Sequence, residues 1–209
     1  MTAVVSPSKI ICIGRNYADH AKELGNEVPK EPLVFLKPTT ALLPSGEPIV
    51  LPHQSQRVEY EAEIGVVIGQ RVRNVSVEEA EHAIAGYTCV NDVTCRDLQK
   101  TDGQWTRAKG FDTFCPVGPR VSNGRDWRGL EIICRVNGVE RQRGHSSDMI
   151  FPIPYLISYV SSFMTLEVGD LLATGTPSGV GPLAHGDVVE IEIPGVGILS
   201  NPVVRGKTR

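Results

Sequence analysis

The sequence predicts a β-rich, mixed α+β fold that spans residues 1–209 as a single domain. Short apolar runs bounded by turn residues outnumber the helical patterns. They do not alternate regularly with helices, which disfavours a doubly wound parallel sheet. The 21 glycines and 15 prolines in 209 residues exceed the average usage of roughly 7% and 5%, and they are spread along the chain. They therefore indicate many turns rather than a linker.

The strand predictions rest on short β-branched or apolar runs that end at Gly, Pro or polar residues. These runs are Lys9–Gly14, Leu33–Leu36, Glu61–Ile68, Tyr87–Val90, Leu130–Val136, Val139–Gln142, Val168–Ala173, Asp187–Ile193 and Gly197–Val203. Asn137-Gly138, which separates two of them, is the strongest short hairpin signal in the chain.

Three helices are expected between these strands. They are Arg15–Leu24, a segment from Ser76 to Ile84, and a segment from about Pro152 to Phe163. A capping box, with Ser76 as N-cap and Glu79 three residues later, opens the second helix, and Gly86 is a natural stop after it. Ser147 or Asp148 could cap the third helix.

The composition indicates a globular protein without general affinity for polyanions. Hydrophobic residues make up 41% and charged residues 22% of the chain, which is enough apolar material for a sizeable core. A formal net charge of −3 gives no general attraction to nucleic acid or to an anionic membrane. No secretion signal is recognisable, and no run approaches the roughly 18 apolar residues of a membrane span. We therefore expect neither a nucleic-acid nor a membrane partner.

The cysteine pattern predicts reduced thiols. The chain has five cysteines, an odd number, at long spacings and without a C-x-x-C pair. This usage is typical of a cytoplasmic protein, and the cytoplasm is the location that we expect.

Three glutamates at alternate positions mark the entrance to the strand Glu61–Ile68. On an extended chain Glu61 and Glu63 point to the same face, with Glu59 beside them. The residues that follow are apolar, so like charges converge where a strand enters a core, which is costly unless a cation offsets them. Oxygen-only ligands favour a hard ion such as Mg²⁺, Mn²⁺ or Ca²⁺. The alternative is a solvated strand face.

Asp92 and a histidine–glutamate pair are further candidates, each with a structural alternative. Asp92 follows the strand Tyr87–Val90, where an aspartate can be either a turn former or a ligand. His20 and Glu23 lie three residues apart and would be neighbours on a helix. A carboxylate beside an imidazole raises its basicity and suits a general base, whereas an exposed surface pair is the alternative. No zinc spacing, phosphate-binding loop or nucleophile elbow occurs.

Six ordered motifs together resemble the fumarylacetoacetate hydrolase family, and the resemblance extends from about Lys9 to Val204. The motifs are Gly14–His20 (GRNYADH), Phe35–Pro38 (FLKP), Tyr60–Glu63 (YEAE), Asn91–Gln99 (NDVTCRDLQ), Lys109–Asp112 (KGFD) and Thr174–Gly181 (TGTPSGVG). The chain is similar to the short, single-domain members, which include acylpyruvate hydrolases, fumarylpyruvate hydrolases and oxaloacetate decarboxylases. The resemblance implies a β-roll with a few short helices, usually assembled as a homodimer.

The resemblance also implies a role for each matching residue. It assigns a divalent metal, Mg²⁺ or Mn²⁺, to Glu61, Glu63 and Asp92. It assigns the substrate to Arg96, Gln99, Lys109 and Thr176. It assigns a mobile lid to the segment that carries His20 and Glu23 and starts with Arg15, Asn16 and Tyr17, and these three residues are expected to bind substrate as well. Glu59 and Cys95 depart from the family pattern, where Asp and Ala are common. Neither departure affects a ligand or lid position.

The implied activity is metal-dependent hydrolysis of the C–C bond of a β-diketo acid, an acylpyruvate or fumarylpyruvate, to pyruvate and a carboxylic acid. His20 assisted by Glu23 would take a proton from water, and Gln99 would position that water. The metal and Lys109 would stabilise the pyruvate enolate that leaves.

Two alternatives remain open. An oxaloacetate decarboxylase, or a decarboxylase/isomerase of aromatic-degradation intermediates, would make the same enolate at the same site. A non-catalytic member would bind a keto acid or a metal without turnover. The presence of both His20 and Glu23 favours an enzyme.

Overall fold

Three β-sheets form the framework of the protein. The structure is a computed structural model that describes residues 5–206. Within that range the strands are β1 (Ile10–Gly14), β2 (Leu33–Lys37), β3 (Leu42–Pro44), β4 (Ile49–Leu51), β5 (Val58–Tyr60), β6 (Ala62–Ile68), β7 (Ile84–Asn91), β8 (Thr94–Cys95), β9 (Cys115–Ser122), β10 (Glu131–Val136), β11 (Val139–His145), β12 (Leu171–Ala173), β13 (Gly181–Pro182), β14 (Val188–Ile193) and β15 (Gly197–Arg205). The α-helices are α1 (Ala18–Glu23), α2 (Val77–Ala80), α3 (Arg96–Thr101), α4 (Thr106–Lys109) and α5 (Ile153–Phe163).

The largest sheet is mixed and has seven strands in the order β2-β1-β12-β6-β7-β9-β3. Strand β1 is parallel to β12 and β3 is parallel to β9, whereas the other neighbours in this sheet are antiparallel. A five-stranded sheet has the order β11-β10-β14-β15-β4, and a small sheet has the order β13-β5-β8. The prediction of a β-rich, mixed fold with a few short helices is therefore confirmed.

The main core lies between the seven-stranded and five-stranded sheets. Strands β10, β14 and β15 pack against β6, β7 and β9. Apolar side chains at alternate positions of these strands fill the space between the sheets, among them Ile64, Cys89, Ile132, Ile191 and Leu199. Side chains that point to the other face of the large sheet form a second, smaller apolar cluster. Both faces of the central strands are therefore buried.

Every predicted strand is present, with ends that differ by a few residues. The Asn137-Gly138 turn joins β10 to β11, and its two residues have φ values of 53° and 76°, as a type I′ turn requires. Strands β3, β4, β5, β8 and β13 lie outside the predicted set because runs of two or three residues carry little periodicity. Strand β9 was not predicted either, because Pro116 and Pro119 interrupt its apolar pattern.

The first helix is shorter than predicted. Helix α1 begins at Ala18 rather than at Arg15. Arg15 has a φ of 57°, in the left-handed region, and therefore does not belong to a right-handed helix.

The second helix also ends early, although its capping box is formed. The backbone N–H of Glu79 donates to Ser76 Oγ, and that of Ser76 donates to Glu79 Oε2. A 3₁₀ turn follows α2, and Ile84 opens β7, so Gly86 is a strand residue and not the helix stop. A Cβ at Gly86 would lie 2.6 Å from the carbonyl oxygen of Ser122, so close strand packing explains this glycine.

The third helix is confirmed, but its cap is not the predicted one. Pro152 is the N-cap of α5, and the predicted caps Ser147 and Asp148 lie in a preceding 3₁₀ turn. Helices α3 and α4 lie outside the predicted set because they are too short for a periodic pattern. No α-helix in the described part of the chain has the length and apolar character that a bilayer crossing needs. All five cysteines are buried and unpaired within residues 5–206.

Candidate active site

Three carboxylates meet where the central strands of the large sheet end. One oxygen from each of Glu61, Glu63 and Asp92 lies within 4.8 Å of the other two, and all three residues are buried. We call these residues the acidic cluster. Glu63 lies in β6, and Asp92 follows β7, the antiparallel neighbour of β6. The backbone N–H of Asp92 donates to the carbonyl of Glu61 at 2.9 Å, which continues this pairing by one step.

The prediction that Glu61 belongs to the same strand as Glu63 is wrong in one respect. Glu61 is the single residue between β5 and β6, where the chain passes from the small sheet to the large one. Its backbone N–H donates to the side chain of Asn91 at 3.0 Å. Glu61 and Glu63 nevertheless reach one cluster, and their burial excludes the alternative of a solvated strand face.

Cationic side chains surround two members of the acidic cluster. Lys109 Nζ, at the end of α4, lies 2.8 Å from Glu61 Oε2 and 2.6 Å from Asp92 Oδ2. Arg96, the first residue of α3, donates through Nη2 to Glu61 Oε1. Lys37 at the end of β2 donates to Asp92 Oδ1 from the side of the core. Asp92 is therefore held between two lysines and is not merely a turn former.

These contacts set the charge state of the two glutamates in opposite directions. Burial alone would raise the pKa of Glu61, but Lys109 and Arg96 outweigh it and hold that pKa well below its usual range. Burial and the charges of Asp92 and Glu61 raise the pKa of Glu63 well above its usual value. The hydrogen bond that Glu63 receives from the backbone N–H of Gly175, at 2.9 Å, does not offset them.

The acidic cluster fits a hard divalent cation. The donors are carboxylate oxygens only, which is the set that Mg²⁺, Mn²⁺ and Ca²⁺ prefer. Glu63 faces two like charges and, among the residues that the structure describes, forms no ion pair with a cationic side chain. A cation between the three carboxylates would remove this repulsion, because each carboxylate would then face an opposite charge.

Helix α1 carries His20 and Glu23 to the cavity that contains the acidic cluster. His20 Nδ1 lies 3.2 Å from Glu23 Oε2, and Glu23 Oε1 accepts a hydrogen bond of 3.0 Å from the backbone N–H of Gly179. His20 is buried and lines the same cavity as Glu61. His20 is therefore not part of an exposed surface pair, although the side chain of Glu23 is 32% exposed at the rim of the cavity. The carboxylate favours the tautomer with a proton on Nδ1, which leaves Nε2 as an acceptor.

A cavity of about 500 Å³ joins these groups. Ten of the twelve predicted site residues line it: Arg15, His20, Glu23, Glu61, Glu63, Asp92, Arg96, Gln99, Lys109 and Thr176. Gln99 accepts a hydrogen bond of 2.6 Å from Arg96 Nη1. Segments far apart in the chain thus supply one enclosed set of acidic, basic and amide side chains.

Asn16 and Tyr17 have different surroundings. The side-chain amide of Asn16 donates to the carbonyls of Phe151 and Thr174 at 3.1 and 2.8 Å and accepts from the N–H of Phe151 at 2.8 Å. Asn16 therefore ties the start of α1 to two other segments. Tyr17 is buried, and its hydroxyl has no hydrogen-bond partner among the described residues. Neither side chain is part of the cavity lining within residues 5–206, and their contact with substrate stays a prediction.

The structure adds residues that the motifs do not assign. One of them is Lys37, which pairs with Asp92. Its only signal in the sequence is that a charged lysine ends the apolar run of β2. Trp105 is another, because Lys109 Nζ lies 6.0 Å from its ring centroid and 5.0 Å from that of Phe35. Gln142 on β11 donates to Thr176 Oγ1 at 2.8 Å and so fixes that residue. No local pattern marks Trp105 or Gln142, since their roles depend on tertiary packing.

Glu59 lies beside the acidic cluster without joining it. Its carboxylate accepts from Arg96 Nε at 2.7 Å and from Arg57 Nε at 2.6 Å. Arg96 therefore spans Glu59 and Glu61, and Glu59 helps to orient the guanidinium that faces the cavity.

Comparison with known proteins places this geometry in a family. A family model described as "Fumarylacetoacetate (FAA) hydrolase C-terminal" matches residues 9–204. A curated Arabidopsis thaliana relative named "Oxaloacetate tautomerase FAHD1, mitochondrial" is 49% identical over 195 residues, which are 90% of this chain and 87% of that protein. A Dictyostelium discoideum relative named "Oxaloacetate decarboxylase, mitochondrial" is 46% identical over 195 residues, 90% of this chain and 89% of that protein.

A solved structure supports the same assignment. The crystal structure of fumarylpyruvate hydrolase from Pseudomonas aeruginosa in complex with Mn²⁺ and pyruvate has a TM-score of 0.91 to this chain at 33% identity. The match covers 97% of this chain and 91% of that one. The resemblance carried by the six motifs is thus confirmed over nearly the whole sequence. The chain belongs to the fumarylacetoacetate hydrolase family.

Proposed function

We propose that this chain is a divalent-metal-dependent enzyme that hydrolyses the C–C bond of a β-diketo acid to pyruvate and a carboxylic acid. The observation that carries this proposal is that the His20–Glu23 pair and the acidic cluster line one cavity. A general base for water and a cation site for a keto acid are the two functions that such a hydrolysis requires. The homodimer implied by the resemblance is part of the proposal.

Glu61, Glu63 and Asp92 would hold the ion, which is Mg²⁺ or Mn²⁺ in our proposal. When bound, it supplies a Lewis acid that withdraws electron density from the keto acid. The fumarylpyruvate hydrolase from Pseudomonas aeruginosa, whose crystal structure contains Mn²⁺ and pyruvate, supports this choice of ion and product class.

The hydrolysis follows from the positions of the side chains. His20 Nε2 takes a proton from a water molecule, while Glu23 fixes Nδ1 and stabilises the imidazolium that forms. The resulting hydroxide attacks the carbonyl carbon distal to the carboxylate. The C–C bond breaks, and its electron pair stays on the three-carbon fragment as an enolate. The proton that His20 took from water then passes to that carbon, which gives pyruvate and restores the neutral base.

Lys109 and Gln99 complete the proposed mechanism. The Lys109 ammonium is buried in the lining and stabilises the negative charge that develops on the enolate oxygen. Burial alone would lower the pKa of Lys109, but Asp92 and Glu61 outweigh it and raise that pKa, so the side chain stays cationic. Gln99, held by Arg96, is placed to orient the water.

Oxaloacetate decarboxylation is a second candidate, and the names of two relatives favour it. The Dictyostelium discoideum relative is named an oxaloacetate decarboxylase and the Arabidopsis thaliana relative an oxaloacetate tautomerase. Loss of CO₂ from oxaloacetate produces the same pyruvate enolate without attack by water. Lys109 would therefore serve both reactions, whereas the activation of water by His20 would be essential only to hydrolysis.

A substrate panel tests the proposed function. The purified protein with Mg²⁺ or Mn²⁺ is offered acetylpyruvate, fumarylpyruvate, fumarylacetoacetate and oxaloacetate, and pyruvate or the cleaved acid is measured. We expect metal-dependent cleavage of at least one diketo acid, its loss in EDTA, and its recovery when the metal is restored.

The panel also separates the alternatives. Turnover of oxaloacetate alone would replace the hydrolase by the decarboxylase. Full activity in EDTA would refute the metal requirement. Binding without turnover of any compound would show a non-catalytic member.

A further inference from the structure

A buried side-chain amide of the five-stranded sheet supports one wall of the cavity. Gln142 in β11 is 1% exposed, and within the described range it is not itself part of the lining. Its Oε1 accepts a hydrogen bond of 3.0 Å from the backbone N–H of Ala62, the first residue of β6. Its Nε2 donates to the carbonyl of Pro177 at 2.7 Å and to Thr176 Oγ1 at 2.8 Å. One amide thus joins the strand that carries Glu63 to the loop that carries Thr176.

The partners of Gln142 leave its amide a single orientation. A backbone N–H can only donate, so the atom that faces Ala62 is the amide oxygen. A carbonyl can only accept, so the atom that faces Pro177 is the amide nitrogen. This nitrogen carries two protons, and Pro177 and Thr176 accept one each. Thr176 Oγ1 is therefore an acceptor toward Gln142.

The hydroxyl proton of Thr176 is consequently left for a ligand. A threonine hydroxyl has one proton and two lone pairs, and the contact with Gln142 uses a lone pair. No other group between residues 5 and 206 forms a hydrogen bond with this hydroxyl. Thr176 is buried and lines the cavity, so the acceptor for its proton comes from what the cavity holds. An anionic oxygen is the strongest such acceptor.

The loop that carries Thr176 is packed tightly against β11. A Cβ at Gly144 would lie 2.7 Å from Pro177 Cβ, and the backbone of Arg141 leaves no room for a Cβ at Gly179. Loop and strand are thus in close contact on both sides of Gln142. Because the loop is held in place, the freedom that remains is rotation of the Thr176 hydroxyl, and the amide restricts it.

We propose that Gln142 is a positioning residue that commits the Thr176 hydroxyl to donate a hydrogen bond to an anionic oxygen of the bound ligand. Without the amide the hydroxyl rotates freely, and ordering it when the ligand binds costs affinity. This inference rests on the proposed function, from which it takes the anionic ligand. It adds a residue of the second sheet that lies outside all six motifs.

A double-mutant cycle on ligand binding tests this inference. Gln142→Met keeps the length of the side chain and removes the amide, whereas Thr176→Val keeps the shape and removes the hydroxyl. Calorimetry on the Mg²⁺-loaded proteins gives the dissociation constant of oxalate, a planar and unreactive analogue of the pyruvate enolate. We expect Thr176→Val to weaken oxalate binding by about 10- to 100-fold, as loss of a hydrogen bond to a charged group does.

The effect of Gln142 should depend on the hydroxyl. Gln142→Met should weaken oxalate binding at least about fivefold when Thr176 is present and less than about twofold in Thr176→Val, because residues that act through one group are not additive. A purely structural role would give the same loss in both backgrounds. Thr176→Ser keeps a hydroxyl and should restore the sensitivity to Gln142→Met.

Gln142→Glu provides a second cycle in case Gln142→Met does not fold. Its carboxylate keeps an acceptor for Ala62 but has no proton for Thr176, so it draws the hydroxyl proton away from the ligand. Its charge repels oxalate in the Thr176 and Thr176→Val backgrounds alike, and the cycle subtracts that repulsion. We again expect the larger loss of affinity when Thr176 is present.

Asn201 supplies a matched control for general loss of structure. It is also a buried amide, and its Nδ2 donates to the carbonyls of Pro44 and Glu47 at 2.9 and 2.8 Å, away from the cavity lining. Asn201→Leu should lower the free energy of unfolding and leave oxalate affinity unchanged. Mg²⁺ affinity without oxalate should stay unchanged in Gln142→Met, because Gln142 contacts no carboxylate of the acidic cluster.

Several outcomes would overturn the inference. They are equal losses of oxalate affinity in the two backgrounds, no loss in Gln142→Met, a similar loss in Asn201→Leu, and no oxalate binding by the unmodified protein.

The cycle and the substrate panel can fail separately. Non-additive losses in a protein that cleaves no compound of the panel would support the role of Gln142 and refute the reaction. Cleavage of a diketo acid by a protein with additive losses would support the reaction and refute the role of Gln142.

Discussion

At the scale of single residues, the site depends on how buried charges are compensated. Glu61 and Asp92 each contact two cationic side chains. Glu63 faces its two acidic neighbours and forms no ion pair with a cationic side chain among the described residues. Asp92 illustrates the principle best, because Lys37 fixes one of its oxygens from the core and Lys109 contacts the other in the cavity. Lys37 thus balances the charge of Asp92 on the core side, as Lys109 does on the cavity side.

Replacement of Lys37 should therefore destabilise the metal-free protein. Lys37→Met leaves Asp92 buried with one cation fewer, and removal of one partner from a buried ion pair costs about 3–5 kcal/mol of unfolding free energy. Urea denaturation in EDTA measures the loss. Lys9→Met is the matched control, because Asp170 keeps hydrogen bonds from Ser8 and Glu167 without that lysine. An equal loss in the two variants would contradict the role given to Lys37.

Residue chemistry could be predicted from the sequence only in part. The alternate residues Glu59, Glu61 and Glu63 before an apolar run predict an oxygen-ligand site, and Glu61 and Glu63 do lie in the acidic cluster. His20 and Glu23 are neighbours in the sequence and in the structure because one short helix holds both. Gln142 has no such local signal, because its partner Thr176 is distant in the chain. Lys37 is marked only as a lysine that closes an apolar strand, and its partner Asp92 is distant as well. Trp105 lies four residues before Lys109, but nothing in that spacing distinguishes it from a core aromatic.

At the scale of elements, the strands were predictable and the helix ends were not. Alternation and the Asn137-Gly138 turn are local signals, and they predict β10 to within one residue and the start of β11, which runs three residues past its predicted end. Helix α1 starts three residues late because Arg15 is left-handed, which no propensity of arginine indicates. Helix α2 stops at Ala80 because Ile84 is drawn into pairing with β6, so tertiary structure overrides the capping signal.

The junction between β1 and β12 leads to a prediction about acid stability. Asp170 just before β12 accepts hydrogen bonds from Ser8 and Lys9 just before β1, its parallel neighbour. Burial alone would raise the pKa of Asp170, but the hydrogen bonds from Lys9 and Ser8 outweigh it and lower that pKa. A carboxyl with a lowered pKa in the folded state contributes stability above its unfolded pKa of about 3.9 and loses it as the pH falls further.

Asp170→Asn should consequently cost about 1.5–3 kcal/mol of unfolding free energy near pH 7, as loss of charged hydrogen bonds does. The difference between the variant and the unmodified protein should shrink as the pH falls below about 4, because the native carboxyl is then progressively protonated. Chemical denaturation of both proteins between pH 3 and pH 7 measures this difference in unfolding free energy. A difference that stays constant over this range would exclude ionised Asp170 as its source.

At the scale of the whole molecule, the fold brings together four stretches of sequence, residues 13–26, 57–63, 92–109 and 176–180, around one cavity. The acidic cluster forms where β5, β6 and β7 end, α1 covers it from one side, and α3 and α4 contribute Arg96, Gln99 and Lys109. Composition and periodicity predict the β-rich fold but not this convergence, since spacing along the chain does not encode distances between strands of different sheets. The ordered motifs supply that information only through the resemblance to a family.

The central claim is that one cavity combines a general base for water with stabilisation of a pyruvate enolate. The most direct measurement compares hydrolysis of fumarylpyruvate with decarboxylation of oxaloacetate in the Mg²⁺-loaded protein and in His20→Ala. Because only hydrolysis needs a base to activate water, we predict that His20→Ala slows hydrolysis by about 10²- to 10⁴-fold and changes decarboxylation by less than about tenfold. Equal loss of both reactions, or hydrolysis that survives intact, would contradict the role of His20 as the base.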